Sequence, residues 1–427
     1  MDTTSIILAV VGTLVVLFFG LAGVLYMTRG NPVSSVRALG EDADPDVSGD
    51  RFCREIESHV DTSIESGNEV EVLYDAEVCE RLFADLAQAR DLVTWHVFWY
   101  KPGGMADRLK EILIERARSG VDVLLLYDRF GSGDMPDAYW DELRDAGVDV
   151  HIFRPLTIST LYKWQKRSHI RTVIIDGRIG YTGGFCIHDD WWGENPVRDT
   201  SARFRGPAVL QLQSAFAADW AEATGELLVG ERAFPDAPRE LEGDHVAGLV
   251  SGMPSIGSTK IERYHALSIA AARERLYITN AYFVPDDDFR RFLVEAVERG
   301  VDVRVLMSTK ENIDSDSTYH AGRHHFEELL RGGVRIFEFG PNMVHAKTLT
   351  VDGIWSGVGS ANFDNRSMSL NDEVVLMVYA QDVAKRLEDR FLADLERATE
   401  LDLETFLARG VVERFKERFY VFFSRIL

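Results

Sequence analysis

The sequence predicts an α/β fold built twice: two similar halves of α/β sandwich, related by an approximate two-fold axis, behind an N-terminal transmembrane helix. Three observations carry this. Ile6 to Met27 is an almost unbroken apolar run. A helix–glycine–strand unit recurs at Glu111–Asp128 and Phe292–Ser308. A histidine, a basic residue two positions on and an aspartate seven on appear once in each copy, at His169, Arg171, Asp176 and at His345, Lys347, Asp352.

The apolar run comes first. Its twenty-two residues span roughly 33 Å at about 1.5 Å each, enough for a bilayer core. The leader Met-Asp-Thr-Thr-Ser has none of the Lys or Arg that open a signal peptide, so residues 1–30 read as an uncleaved anchor. Arg29 and Arg37 follow it, which puts the bulk of the chain on the cytoplasmic side of the cell membrane. Residues 31–65 read as a polar, acidic tether rich in chain breakers. The first half then occupies 66–230 and the second 245–402, and an amphipathic C-terminal helix follows over 403–427.

Within the halves, apolar strands at 94–100 and 278–284 precede helices that close on Gly120 and Gly300, each followed by Val-Asp-Val. A further helix ends at D-A-G-V-D-V-H-I-F-R-P in one copy and R-G-G-V-R-I-F-E-F-G-P in the other. Alternating strands and helices imply largely parallel pairing. Equivalent residues of a repeated chain meet across the two-fold axis. At the C-terminus, Phe415, Phe419, Phe422 and Ile426 share a helical face, with Arg414, Lys416, Arg418 and Arg425 elsewhere. That pattern suits an interfacial helix and equally a helix packed on the core.

The net charge of −22 argues against a broad nucleic-acid-binding face, while leaving room for a local basic pocket. Cys53, Cys79 and Cys186 form neither a disulfide framework nor a zinc pattern, and suit a reducing compartment.

The two histidine segments match in detail. Counted from the histidine, offsets +2, +7, +14, +15 and +17 give Lys347, Asp352, Gly359, Ser360 and Asn362 in one copy. They give Arg171, Asp176, Gly183, Gly184 and Cys186 in the other. On a strand the histidine and the +2 cation share a face. The aspartate falls on the opposite face, just before Gly177 or Gly353, where a hairpin turn is expected.

This pattern resembles the phospholipase D superfamily, whose motif is His-x-Lys-x4-Asp followed by Gly-Ser/Gly-x-Asn. The resemblance covers roughly residues 69–400 and is closest in detail to bacterial cardiolipin synthases and related phosphatidyltransferases. A-Y-F-V-P-D (281–286), F-A-A-D-W (216–220) and N-F-D-N-R-S-M-S-L-N-D-E (362–373) support it. It implies that one neutral imidazole attacks phosphorus while the other protonates the leaving oxygen. The catalytic set it implies is His169, His345, Lys347, Arg171, Asp176 and Asp352, although a structural role for both aspartates near the turn stays open. Lys347, Arg171, Asn362 and Ser360 would hold phosphate, and Glu373 and Asp199 would orient the histidines. The resemblance favours His169 as nucleophile.

No cofactor and no metal are expected. The expected partners are phosphatidylglycerol-like phospholipids and the bilayer, with no nucleic acid; the oligomeric state stays open. A hydrolase releasing phosphatidic acid would use the same residues. A nucleic-acid phosphodiesterase is disfavoured by charge and anchor, and a non-catalytic membrane scaffold is the third class. Two residues depart from the motif: Arg171 replaces its Lys, and Cys186 replaces its Asn, leaving the first half fewer phosphate donors. His320, His324 and His325 read as a solvated or substrate-lining helix face rather than a metal site. Trp191 and Trp192 read as a loop at the pocket mouth that touches lipid headgroups.

Overall fold

Fifteen strands follow one hydrogen-bonded order across the computed structural model, which describes residues 3–27, 32–40, 44–155, 157, 165–236, 243–254 and 259–424. In the first half they are β1 (Glu65–Tyr74), β2 (Leu92–Val97), β3 (Asp122–Asp128), β4 (Asp149–Phe153), β5 (Arg171–Ile175), β6 (Ile179–Gly183) and β7 (Thr200–Arg205). The second half supplies β8 (His245–Gly252), β9 (Arg275–Asn280), β10 (Asp302–Ser308), β11 (Arg335–Phe339), β12 (Lys347–Val351), β13 (Trp355–Gly359), β14 (Glu373–Tyr379) and β15 (Ala398–Glu400). The order is β15-β11-β10-β9-β12-β13-β14-β8-β1-β7-β6-β5-β2-β3-β4. Apart from β15, it reads the same outward from the central β8–β1 pair in either direction. That pair is antiparallel, as a two-fold axis between the halves requires.

Pairing is less parallel than the sequence implies. Only β2–β3, β3–β4, β9–β10 and β10–β11 run parallel; the other ten pairings among the described residues are antiparallel. The histidine strands cause the difference. β5 and β12 return against β2 and β9, then turn back through Asp-Gly hairpins into β6 and β13. Asp176 (φ 54°), Gly177 (φ 62°), Asp352 (φ 54°) and Gly353 (φ 68°) all adopt the left-handed conformation, in three-residue turns that leave Ile175 opposite Ile179 and Val351 opposite Trp355.

Helices cover both faces. On the outer side, Gly104–Arg118 and Asp287–Glu298 bury Leu109, Leu113, Phe292 and Leu293 in the separate core of each half. On the inner side, Pro207–Thr224 and Gln381–Leu395 close a third core between the halves, built from residues such as Phe204, Phe216, Leu249, Leu376 and Leu387. The two halves therefore share a core.

Two boundaries differ from the sequence reading. The segment read as tether contains a helix, Asp50–Val60, whose Phe52, Ile56 and Val60 enter the second-half core; Phe52 meets the Trp355 ring edge-on at 5.1 Å. Its polar composition hid an apolar stripe spaced 52, 56, 60. The C-terminal segment is two helices, Leu403–Leu407 and Val411–Val421, the first capped by Asp402, which accepts from Thr405 N at 2.9 Å. Arg29, Arg425 and Ile426 lie outside the described residues. The apolar N-terminal helix runs Thr3–Met27, long and apolar enough to cross a membrane, and none of its window Thr3–Leu21 is buried in the protein.

Candidate active site

The two histidine segments converge where β2 and β9 end and β5 and β12 begin. Both His169 and His345 are buried, and both line one cavity of about 440 Å³ together with Arg171 and Asn362. The halves are stitched together here by two short parallel bridges, Ser168 with Asp372 and Arg198 with Val344. Through them His169 N donates to the carbonyl of Asp372 at 2.9 Å, and His345 N to the carbonyl of Arg198 at 2.8 Å. Each histidine is thereby held beside the residue that precedes the other half's acid.

The acids follow the same exchange. His169 Nδ1 lies 3.0 and 3.1 Å from the two oxygens of Glu373, from the second half. His345 Nδ1 lies 3.9 Å from Asp199 Oδ2, from the first, and hydrogen-bonds the carbonyl of Gly184 at 2.8 Å. Both imidazoles thus use Nδ1 for positioning. Behind the bridges stand ion pairs of opposite polarity. Arg154 clamps Asp372 at 2.5 Å and Glu222 at 2.8 Å, while Arg198 reaches Asp394 at 2.5 Å.

The cations reach back along their strands. Arg171 Nη1 donates to the His169 carbonyl at 2.5 Å, and Lys347 Nζ to the His345 carbonyl at 2.5 Å. Lys347 Nζ also stands 3.0 Å from His345 Nδ1, one layer behind the cavity wall. Arg171 spends its other terminal nitrogen on Cys186 Sγ at 3.5 Å. The guanidinium fork fills the space beside Cys186, so the two departures from the motif meet as one packed pair.

Burial dominates the electrostatics. It drives both histidines well below the usual imidazole value, helped by Arg171 and Lys347, so both rings rest neutral. It lowers Lys347 to about 7, with Arg171 adding repulsion, and raises Glu373 to about 8 against the pull of its hydroxyl donors. Asp199 is raised as well, again by burial. A neutral imidazole keeps the lone pair that a nucleophile or base needs.

Three expected site residues stand elsewhere. Asp176 and Asp352 lie at the far ends of β5 and β12, away from the cavity. Asp176 accepts from Arg90, Asp91 and Leu92 N between 2.8 and 3.1 Å, and Asp352 accepts from Arg273, Glu274 and Arg275 N between 2.8 and 2.9 Å. Their left-handed backbone turns each carboxylate onto the entry to the neighbouring strand. Ser360 does not face the cavity: its hydroxyl donates to Glu373 Oε2 at 2.5 Å. Its counterpart Gly184 has no side chain because a Cβ there would collide with Asp199 and with the carbonyl of His345.

Other readings change too. Trp191 is buried, packs edge-on against His345 at 5.0 Å and donates Nε1 to Asp199 at 2.7 Å; it supports the site and does not touch lipid. Trp192 donates to Glu80 at 2.7 Å. His320 is neither solvated nor substrate-lining, but buried under Tyr420, and among the described residues no group of three or more His, Cys, Asp or Glu could hold a metal ion. The sequence reading missed Ser367 and Asn371, which donate to Glu373 at 2.7 and 3.4 Å, and Arg366 on the cavity wall. All three lie in the stretch 362–373, whose spacing to Glu373 was the available signal.

Known proteins resemble this chain in sequence and in fold. The sequence profile of the family described as "Cardiolipin synthase, PLD-like domain" matches residues 267–395. Cardiolipin synthase 2 of Bacillus anthracis is 34% identical over 358 residues, which is 82% of this chain and 69% of that one. Cardiolipin synthase A of Pseudomonas putida (strain W619) is 35% identical over 352 residues, 79% of this chain and 71% of that one. In fold, the crystal structure of phosphatidylserine synthase from Haemophilus influenzae Rd KW20 superposes with a TM-score of 0.66 at 14% identity, covering 88% of this chain and 100% of that one.

Proposed function

The chain belongs to the cardiolipin synthases of the phospholipase D superfamily, and from that premise we propose that it moves a phosphatidyl group from one phospholipid, through a phosphohistidine, to the hydroxyl of a second. The observation that carries the reading is two buried histidines, one from each half, lining one cavity, with the acids exchanged between the halves.

His169 is the nucleophile. With Nδ1 on Glu373, its Nε2 lone pair attacks the phosphorus of a donor such as phosphatidylglycerol, and the bond from phosphorus to the leaving glycerol oxygen breaks. His345, whose Nδ1–H faces the Gly184 carbonyl, takes a solvent proton on Nε2 as the anionic lipid binds and gives it to that oxygen. Glu373, which burial raises to about 8 in the resting site, ionises beside the cationic phosphohistidine ring and offsets its charge. The primary hydroxyl of a second phosphatidylglycerol then enters, His345 takes its proton, the new P–O bond forms and His169 is released. Two phosphatidylglycerols thus give cardiolipin and glycerol. Arg171 and Asn362 hold the non-bridging oxygens, with the charge of Lys347 behind them. An anion on Arg171, in front of Lys347, offsets the repulsion that these two cations add to burial in holding His345 neutral. Substrate binding therefore readies the acid. The apolar N-terminal helix keeps this chemistry at the cell membrane, on the cytoplasmic side.

Purified full-length protein with phosphatidylglycerol in mixed micelles tests the assignment. Cardiolipin and glycerol are the expected products; phosphatidic acid alone would identify a hydrolase and overturn it.

A further inference from the structure

The helix Val411–Val421 is amphipathic in the opposite sense to a helix on a water-soluble surface. Its protein-facing side is polar: Glu413 pairs with Lys310 at 3.4 Å, buried Glu417 with Arg409 at 2.8 Å, and Tyr420 stacks on His320 at 5.7 Å. Its outward side carries Val411, Val412, Phe415 and Phe419, and Phe422 extends the row; all are more than half exposed. A helix in water turns its apolar stripe inward. An exposed row of this kind marks a contact.

What covers it follows from its neighbour. The rings of Phe422 and Phe423 meet Phe19 and Phe18 of the N-terminal helix at 5.9 and 6.3 Å, so the row continues the surface of the apolar helix. Phe19 lies eight residues before Met27, about 12 Å along the axis. That falls within the roughly 15 Å hydrocarbon depth of one leaflet. Exposed Arg414 and Arg418 flank the row, with stems long enough to reach headgroup phosphates.

We propose that Val411–Phe422 is a second membrane contact, its apolar row inserted into the leaflet that the N-terminal helix enters. The proposal deepens the phosphatidyltransferase reading and rests on it for its purpose. The helix packs on Asp316–Arg323, and Ser315 and Thr318 at the start of that helix line the catalytic cavity. Docking the C-terminal helix holds the cavity mouth against the leaflet where both lipid substrates reside.

The test uses the full chain with Cys53 replaced by Ser, reconstituted in phosphatidylcholine–phosphatidylserine vesicles. Spin labels are placed through Phe415→Cys or Phe419→Cys, with Val16→Cys in the N-terminal helix and exposed Lys385→Cys as references. Expected is collision with oxygen above that with a nickel chelate, as at Val16. Accessibility like that at Lys385 overturns the proposal, as does dipolar coupling between labels, which would make a second copy the cover. Separately, the triple variant Phe415→Ser/Phe419→Ser/Phe422→Ser should lose roughly tenfold or more on long-chain phosphatidylglycerol vesicles and keep its turnover on monomeric short-chain phosphatidylglycerol. Parallel loss on both substrates, or on neither, sinks the proposal. A wild-type chain that makes no transfer product from either lipid sinks the phosphatidyltransferase reading instead, and leaves the label result to stand alone.

Discussion

Glu373 gathers four side chains around one buried carboxylate: His169, Ser360, Ser367 and Asn371. Glu373→Gln keeps the shape and removes the charge that offsets a phosphohistidine. It should lower kcat by about two to four orders of magnitude with KM little moved, measured as cardiolipin formed per minute. Lys347 gives a pH signature. Burial places its loss of charge near 7, so kcat/KM for an anionic lipid should fall as pH rises through about 7. Lys347→Arg, charged throughout, should extend the plateau to higher pH at a lower absolute rate; an unchanged alkaline limb would remove Lys347 from the explanation. At this scale the matched offsets made His169, His345 and both cations legible in the sequence. They could not tell which acid serves which histidine, because a repeat fixes equivalence and says nothing about which copy faces which. Ser360 was misread for a related reason: a motif position names a residue, and the direction of its hydroxyl depends on Glu373 thirteen residues on.

Among the elements, the two Asp-Gly hairpins bear on folding. Asp176→Ala leaves three strand-entry N–H groups without their acceptor and should cost roughly 2–3 kcal/mol in urea or thermal unfolding. Turnover per folded molecule should stay close to wild type, since the carboxylate lies at the far end of β5. Phe52→Ala in the helix Asp50–Val60 should cost roughly 3–5 kcal/mol; a flexible tether predicts no measurable change, so the same melt separates the two. The paired helix–glycine–strand units were readable because glycine stops and Val-Asp-Val starts are local signals. Strand direction was not. Nothing local says that β5 will run against β2, and that choice comes from the hairpins and from the demand that both histidines open onto one cavity.

The whole molecule carries a net charge of −22 around a small cationic centre. An anionic micelle approaching that shell is repelled at long range, and the Debye length shrinks from about 30 Å at 0.01 M salt to about 8 Å at 0.15 M. KM for phosphatidylglycerol in mixed micelles should therefore fall as salt rises over that interval; a rising KM would place the controlling charge in the pocket instead. The two-fold architecture was legible from the repeat, whereas the core shared between the halves was not, since it depends on packing of Pro207–Thr224 and Gln381–Leu395 in three dimensions. The exchanged acids bear on inheritance as well. A damaging change at Glu373 strikes a histidine 204 residues away, and no reversion confined to the neighbourhood of His345 repairs it. The copies differ where each serves itself, with Arg171 and Cys186 in one against Lys347 and Asn362 in the other. Where each guards the other, damage to one copy disables both.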